Sequence, residues 1–305
     1  MKFFRYDADK IPVLIITGFF LVDLVAFFLI PTWWGALIWF LLGIAPKACI
    51  SSWNHHHQHL PTFHQPFMNR AMEIVYGFST GITTNAWFLH HVVGHHKNYL
   101  DQEKDESRWK RKSGKTMNVV EYSFVVAATG YPRALMVGLR FRKHLRAFLI
   151  MQVVQWILFG MLCWHNPINA VFIFLLPGFV SLYITAWHTY YHHADLDTDD
   201  HYQGSNNITH HWYNILTGNL GFHTAHHIQG GLHWSKLPEY HLQIAHKIPA
   251  ERFHKPCWPF SWMGSKKMVP DIPYEPEKDR LKAQDAKEIL EQFQVQVPNA
   301  EPKTA

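Results

Sequence analysis

Cysteine is nearly absent from this sequence, and its scarcity narrows the chemistry. The 305 residues contain only Cys49, Cys163 and Cys257. Their number is odd and no C-x-x-C spacing occurs, which argues against a disulfide framework and against a thiolate metal site. Cys49 and Cys163 lie in apolar stretches, where buried free thiols are expected. Charge is sparse as well: 17% of residues are Asp, Glu, Lys or Arg, and the net charge is +5. That small basic excess suits a surface lying against anionic lipid, is too diffuse for nucleic acid, and comes with no nucleic-acid motif. The H-E-x-x-H of zinc proteases is missing, and so is any internal repeat. No small-residue cleavage site follows the N-terminal apolar run, which is longer than a signal-peptide core and so reads as a retained anchor.

What the chain has instead is apolar and aromatic residues, at 48% and 15%. Mean hydropathy is nevertheless only −0.13, because polar, histidine-rich segments dilute very apolar ones. Residues 11–30, 33–50, 147–164 and 168–187 each approach the ~20 residues that cross a bilayer core. Pro31 and Thr32 separate the first two stretches, and His165, Asn166 and Pro167 the last two, which predicts two tight helical hairpins. Trp33, Trp34, Trp164 and Trp187 fall at the expected interfaces, where aromatic belts form. The hairpin turns carry no Lys or Arg, whereas residues 51–146 and the N-terminal flank are rich in both. The positive-inside rule then places both termini and the long loop in the cytoplasm. Residues 71–89 and 122–139 are less apolar or are broken by Gly130, Pro132 and Arg133, and are expected as interfacial or buried helices. The fold class expected is an all-α integral membrane protein: four transmembrane helices in two hairpins, with a cytosolic helical cap. Residues 1–270 form the expected membrane catalytic domain. Residues 271–305 form a charged cytosolic end, with a helix over 277–293 and an unstructured tail.

Three histidine clusters punctuate this plan. His55, His56, His57, Gln58 and His59 contain H-x-x-x-H; His91, His95 and His96 form H-x-x-x-H-H; His223, His226 and His227 form H-x-x-H-H. Imidazole is a neutral nitrogen ligand for iron, zinc, copper and nickel. Histidines four apart on a helix share one face, so each cluster can aim a pair of ring nitrogens at one point. Together they supply more imidazoles than one tetrahedral ion takes and about as many as two metals need. An internal run interrupted by Gln58 is unlike an expression tag. Lone histidines such as His64, His144, His165, His233, His241, His246 and His254 are expected to be structural. With no cysteine nearby, and with ligands at span ends where paired haem ligands would lie within a bundle, non-haem iron handling oxygen is favoured; mononuclear iron and zinc are the other readings.

The three-box pattern on four predicted spans resembles the membrane fatty acid desaturase and hydroxylase superfamily. Residues 218–227, Gly-Asn-Leu-Gly-Phe-His-Thr-Ala-His-His, and residues 231–238, Gly-Leu-His-Trp-Ser-Lys-Leu-Pro, are especially like its bacterial desaturase members. The resemblance covers roughly residues 10–265, and Gly94, His95 and His96 are also similar to membrane alkane monooxygenases. Carried over by position, it implies two iron ions, with O2 as co-substrate, held by His55 and His59, by His91, His95 and His96, and by His223, His226 and His227. It implies one more histidine after the fourth span, four residues beyond an Asn. That Asn is absent here; the pairs available are Thr189 with His193, which is favoured, and His188 with His192. Asp101, Asp105, Glu106 and Asn219 are candidates for orienting ligand imidazoles.

The reaction implied is oxygen-dependent desaturation of a long alkyl chain, by an integral protein of the bacterial inner membrane. Hydroxylation, acetylenation and decarboxylation to a terminal alkene are alternatives on the same scaffold. The substrate is a fatty acyl chain carried on coenzyme A, on acyl carrier protein, on lipid, or as free acid. Lys110, Arg111, Lys112 and Lys115, and Arg140, Arg142, Lys143 and Arg146, are candidates for holding its phosphates, or else ordinary charge at the lipid surface. The His-Pro-Gly-Gly of a fused cytochrome b5 is missing, so electrons are expected from a separate ferredoxin, rubredoxin or cytochrome. Asp23, costly within a span, is expected to close the substrate channel or to pack helices. A histidine-rich metal transporter is the reading from a different class; it requires ligands near mid-membrane.

Overall fold

A computed structural model describes residues 2–296. The expected unstructured tail, residues 298–305, lies outside the described residues. Among the described residues the chain is helical with isolated bridges and no strands, and it is organised as two compact units, Met1–Asp195 and Leu196–Ala305.

The first unit contains helices α1 (Lys10–Leu29), α2 (Trp33–His59), α3 (Pro66–Thr80), α4 (Val119–Gly138), α5 (Arg142–His165), α6 (Pro167–Ala170) and α7 (Leu176–His193). Four segments are long and apolar enough to cross a membrane: Asp7–Leu29, Trp33–His59, Arg142–His165 and Pro167–His193. They contain the four expected spans apart from Ile30 and run further, since no Gly or Pro interrupts residues 51–59 or 188–193. Thr32 starts α2, its hydroxyl accepting from the Gly35 N–H at 3.3 Å in the manner of an N-cap. The helix then continues through residue 50 into the first histidine box. Likewise α7 carries His188, His192 and His193 on its last turns. Much of the apolar surface of α1 and α5 faces outward, including Leu14, Leu21, Val25, Val153, Trp156 and Met161, as lipid contact requires. Of the stretches expected as interfacial or buried helices, 122–139 falls on α4 and 71–89 is α3 only as far as Thr80, where Gly81 in the left-handed region ends the helix; neither is among the four candidate spans.

One polar knot ties the spans together. Pro177, near the start of α7, has no N–H to offer the carbonyl four residues earlier. That carbonyl belongs to Ile173, inside a π-helical stretch, Val171–Leu175. Lys47 from α2 supplies the missing donor, Nζ to Ile173 O at 2.6 Å, and pairs with Asp23 of α1 at 2.9 Å. The Trp39 indole donates to the other Asp23 oxygen at 2.9 Å. Asp23 is 0% and Lys47 1% exposed. Asp23 thus packs helices through a partner twenty-odd positions away. Nearby, the turn ending α3 meets α7 backbone to backbone. A Cβ on Gly81 (φ +71) would fall 2.7 Å from the Gly178 Cα, so both positions require glycine.

The second unit contains α8 (His211–Thr217), α9 (His223–Ile228), α10 (Leu237–Ile244) and α11 (Ala283–Gln296). Its core gathers Phe222, Leu237, Leu242, Ile244 and Ile248, with Ile289 and Leu290 of α11 against them. The C-terminal helix begins later than the expected residue 277. The preceding segment spends its backbone groups on the body of the unit instead: Glu275 N to His246 O at 2.7 Å, Leu281 N to Gln243 O at 3.3 Å, and Lys278 O to the His246 ring at 3.1 Å.

Lys47→Leu leaves a lone buried carboxylate and should lower stability by about 3–5 kcal/mol, whereas Asp23→Leu/Lys47→Leu should recover most of that loss. Thermal unfolding of the purified variants in detergent measures both. A double variant no more stable than Lys47→Leu would show that the pair is not what holds these helices.

Candidate metal centre

The first histidine box owes its position to a helix end. His55 and His59 sit on the last turn of α2, four residues apart and on one face, with ring centroids 4.7 Å apart. His57, between them in sequence, points elsewhere: Nδ1 lies 2.8 Å from the Thr62 hydroxyl and Nε2 3.6 Å from Glu73.

The second box departs from α-helical spacing. His91 lies in a π-helical stretch, Phe88–Val93. In the following turn His91 O accepts from both His95 N at 3.1 Å and His96 N at 2.9 Å, the second a five-residue step. His91 therefore comes beside His96, with Nε2 atoms 3.0 Å apart, and beside His55 of the first box at 2.8 Å. One ring nitrogen from each of His55, His59, His91 and His96 lies within 4.8 Å of the others. His95 turns to α7 instead, its Nε2 3.3 Å from that of His193. The pairing of His91 with His95 expected from an α-helix is thus replaced by a split box that serves two neighbouring clusters.

Asp105 accepts from His95 Nδ1 at 2.8 Å and from the Ser107 N–H at 2.7 Å. This fixes which His95 nitrogen carries the proton and leaves Nε2 facing His193. Tyr99, four residues after His95, stands against both rings, at centroid distances of 6.2 and 5.7 Å. The histidine spacing alone does not single it out, although an aromatic one turn from a ligand histidine is a detectable signal. Of the other candidate residues, Asp101 is engaged by Lys104 at 2.6 Å on an exposed turn. Thr189 donates to Thr185 O at 3.0 Å. His192 is buried and His188 half-buried, and neither belongs to the two clusters.

In the second unit the third box forms α9. His223 and His227 share a face, with centroids 4.7 Å apart, and His226 is 5.7 Å from each. Asn219 shapes the turn before it, with φ +65 and a side-chain bond to Trp234 O at 3.1 Å, and so acts on backbone. Among the lone histidines, His233 caps a turn through Ser235 at 2.8 Å, and His241 lies between Phe222 and Phe253, where burial holds it neutral, down to about 3.

The donor set fits a metal. Two nitrogens bound to one ion at about 2.1 Å stand roughly 3 Å apart, and the spacings 2.8, 3.0 and 3.3 Å match that edge. A neutral imidazole carries one N–H and one lone pair, so each of these ring nitrogens can donate to a neighbour or offer a lone pair to a cation. Burial, then the neighbouring His55, His96, His95 and His59, hold His91 well below the usual 6.5, which keeps one of its nitrogens free of a proton.

The sequence model of a family described as fatty acid desaturase matches residues 31–259, more than half of the chain. No curated protein and no solved structure matches it.

Asp105→Ala removes the acceptor that sets the His95 tautomer. It should weaken metal binding about 10–100-fold without shifting the unfolding temperature of the metal-free protein by more than a few degrees. Metal titration against a competing chelator checks this; unchanged affinity would mean that Asp105 does not act through His95.

Proposed function

This chain belongs to the fatty acid desaturase family, and on that premise we propose that it is an oxygen-dependent membrane oxidoreductase that introduces a carbon–carbon double bond into a long fatty acyl chain. One observation carries the reading: His55, His59, His91 and His96 bring ring nitrogens within 4.8 Å of one another, the first two at the end of a helix suited to a bilayer. In this reading those four hold one iron, His95 and His193 belong to a second, and His223, His226 and His227 complete the pair as the family pattern implies. When bound, the irons supply the removal of two hydrogens from neighbouring unactivated methylenes, with O2 reduced to water by those hydrogens and by two electrons and two protons from outside.

The chain's residues bind and orient. Asp105 keeps the His95 Nδ1 proton in place, so that Nε2 offers its lone pair. No general acid or base is needed for a C–H bond that offers no acidic proton. The apolar spans provide a dry setting for an alkyl chain, and a separate ferredoxin, rubredoxin or cytochrome is the proposed electron source. A transporter would need ligating groups at mid-span. The ionisable pair found there, Asp23 and Lys47, is already joined to itself.

The purified protein should carry about two irons per chain. His91→Ala and His193→Ala should lose iron and activity, and His192→Ala should retain more of both. Mass spectrometry of lipids and hydrocarbons from cells making the chain should show new alkenes of unchanged carbon number. New alcohols, alkynes or shortened terminal alkenes would instead assign one of the sister reactions, and a chain that holds exchangeable zinc and changes no lipid would sink the oxidoreductase reading.

We also propose that both termini and the loop between α2 and α5 are cytoplasmic, from the placement of Lys and Arg. Reporter fusions after Lys115 and after Ala305 should report cytoplasm, and a tag between Pro31 and Trp33 the opposite side. A reporter after Lys115 on the far side would refute this topology.

A further inference from the structure

The second box rests on a backbone segment that cannot hold itself in place. The first N–H groups of any helix have no partner inside it, and a short π-helical stretch is a marginal element. The turn that leads into it contains Gly81 (φ 71) and Asn85 (φ 56), both in the left-handed region. Something outside the segment must fix where Phe88–Val93, and His91 with it, begins.

Gln58 does this from inside the first box. Its Oε1 accepts from the backbone N–H groups of both Trp87 and Phe88, each at 3.0 Å. Its Nε2 donates to Thr83 O and to Asn54 Oδ1, each at 3.1 Å. Trp87 and Phe88 N–H can only donate and Thr83 O can only accept, so the partners fix the orientation of the amide. Two bonds accepted and two donated use the full capacity of the group. Asn54, one turn earlier on α2, extends the clamp by donating to Ile82 O at 2.9 Å.

We propose that Gln58 is a positioning residue that sets the second histidine box in register with the first. It lies on the same turn of α2 as His55 and His59, and His91 follows Phe88 within one turn. The helical turn that aims two ligands therefore also holds the start of the element that aims a third. Multi-histidine sites need their ligands placed to within about 0.5 Å, and the clamp provides that placement before any metal arrives. The inference rests on the metal-centre reading for its consequence, while the clamp itself can be tested without metal.

Hydrogen–deuterium exchange of the full-length, metal-stripped protein is the direct test. Gln58→Met keeps the length of the side chain and loses its polar atoms. It should speed exchange about tenfold at residues 86–93, leave α4 and α7 unchanged, and weaken Co(II) binding while altering the Co(II) absorption spectrum. Gln58→Glu keeps an acceptor for Trp87 and Phe88 and should stay closer to wild type in exchange. Unchanged exchange in Gln58→Met would overturn the clamp, and so would equal losses in both variants or loss of protection throughout the first unit, either of which would make Gln58 a packing residue. Wild-type Co(II) affinity in His91→Ala would instead overturn the metal-centre reading, and the exchange result would stand apart from it.

Discussion

The first unit is built around the convergence of several buried imidazoles. His55, His91 and His96 bring their Nε2 atoms within 2.8 to 3.0 Å along the chain of contacts that His91 joins, close enough to share one cation. The scaffold must hold these rings in place before any ion is bound. Two helix ends and one π-helical stretch do so: α2 and α7 end at these rings, and the π-helical stretch is held by bonds from α2.

Among these elements α2 has a double character. At 27 residues it is about 40 Å long at 1.5 Å per residue, some 10 Å more than a hydrocarbon core. Its first half is apolar and leaves Trp33, Trp34, Ile38, Leu41 and Leu42 exposed. Its last three turns are almost wholly polar and yet buried, from Ser51 through Asn54 to Gln58. Buried polar groups are tolerable only when satisfied, and Asn54 and Gln58 find partners on the backbone of residues 82–88, while Ser51 and His57 bond to Lys47 O and the Thr62 hydroxyl. The segment between α3 and the second box follows an irregular path because its carbonyls and N–H groups are taken up by side chains of α2.

The legibility of the sequence tracked the range of each interaction. The four spans were readable because a bilayer sets one length that any spanning helix must meet. The first and third boxes were readable because i, i+3 and i, i+4 spacings place histidines together on an α-helix. The second box defeated that rule, since H-x-x-x-H reads as α-helical and the π period exchanges His95 for His96 as the neighbour of His91. The pairing of Lys47 with Asp23 and its bond to Ile173 O depend on packing that no local pattern encodes. Gln58 was invisible for a simpler reason: its partners are peptide groups, which every residue has. Asp105 was one acidic residue among several until distance separated it from Asp101.

The Asp23–Lys47 pair has a consequence for how the chain is made. A carboxylate at the middle of an apolar helix costs about 2.5–3.5 kcal/mol to insert alone. On the proposed topology α1 reaches the bilayer while Lys47 is still being translated or is within the ribosomal tunnel, so Asp23 has no counter-charge at the moment it would first face lipid. The two helices are joined by only three residues, which favours delivery of the hairpin as one parcel with its charges already cancelled. Any change that lengthened the turn or slowed translation across it would then be felt at the membrane insertion machinery, in the yield of chain, before it was felt in the finished enzyme.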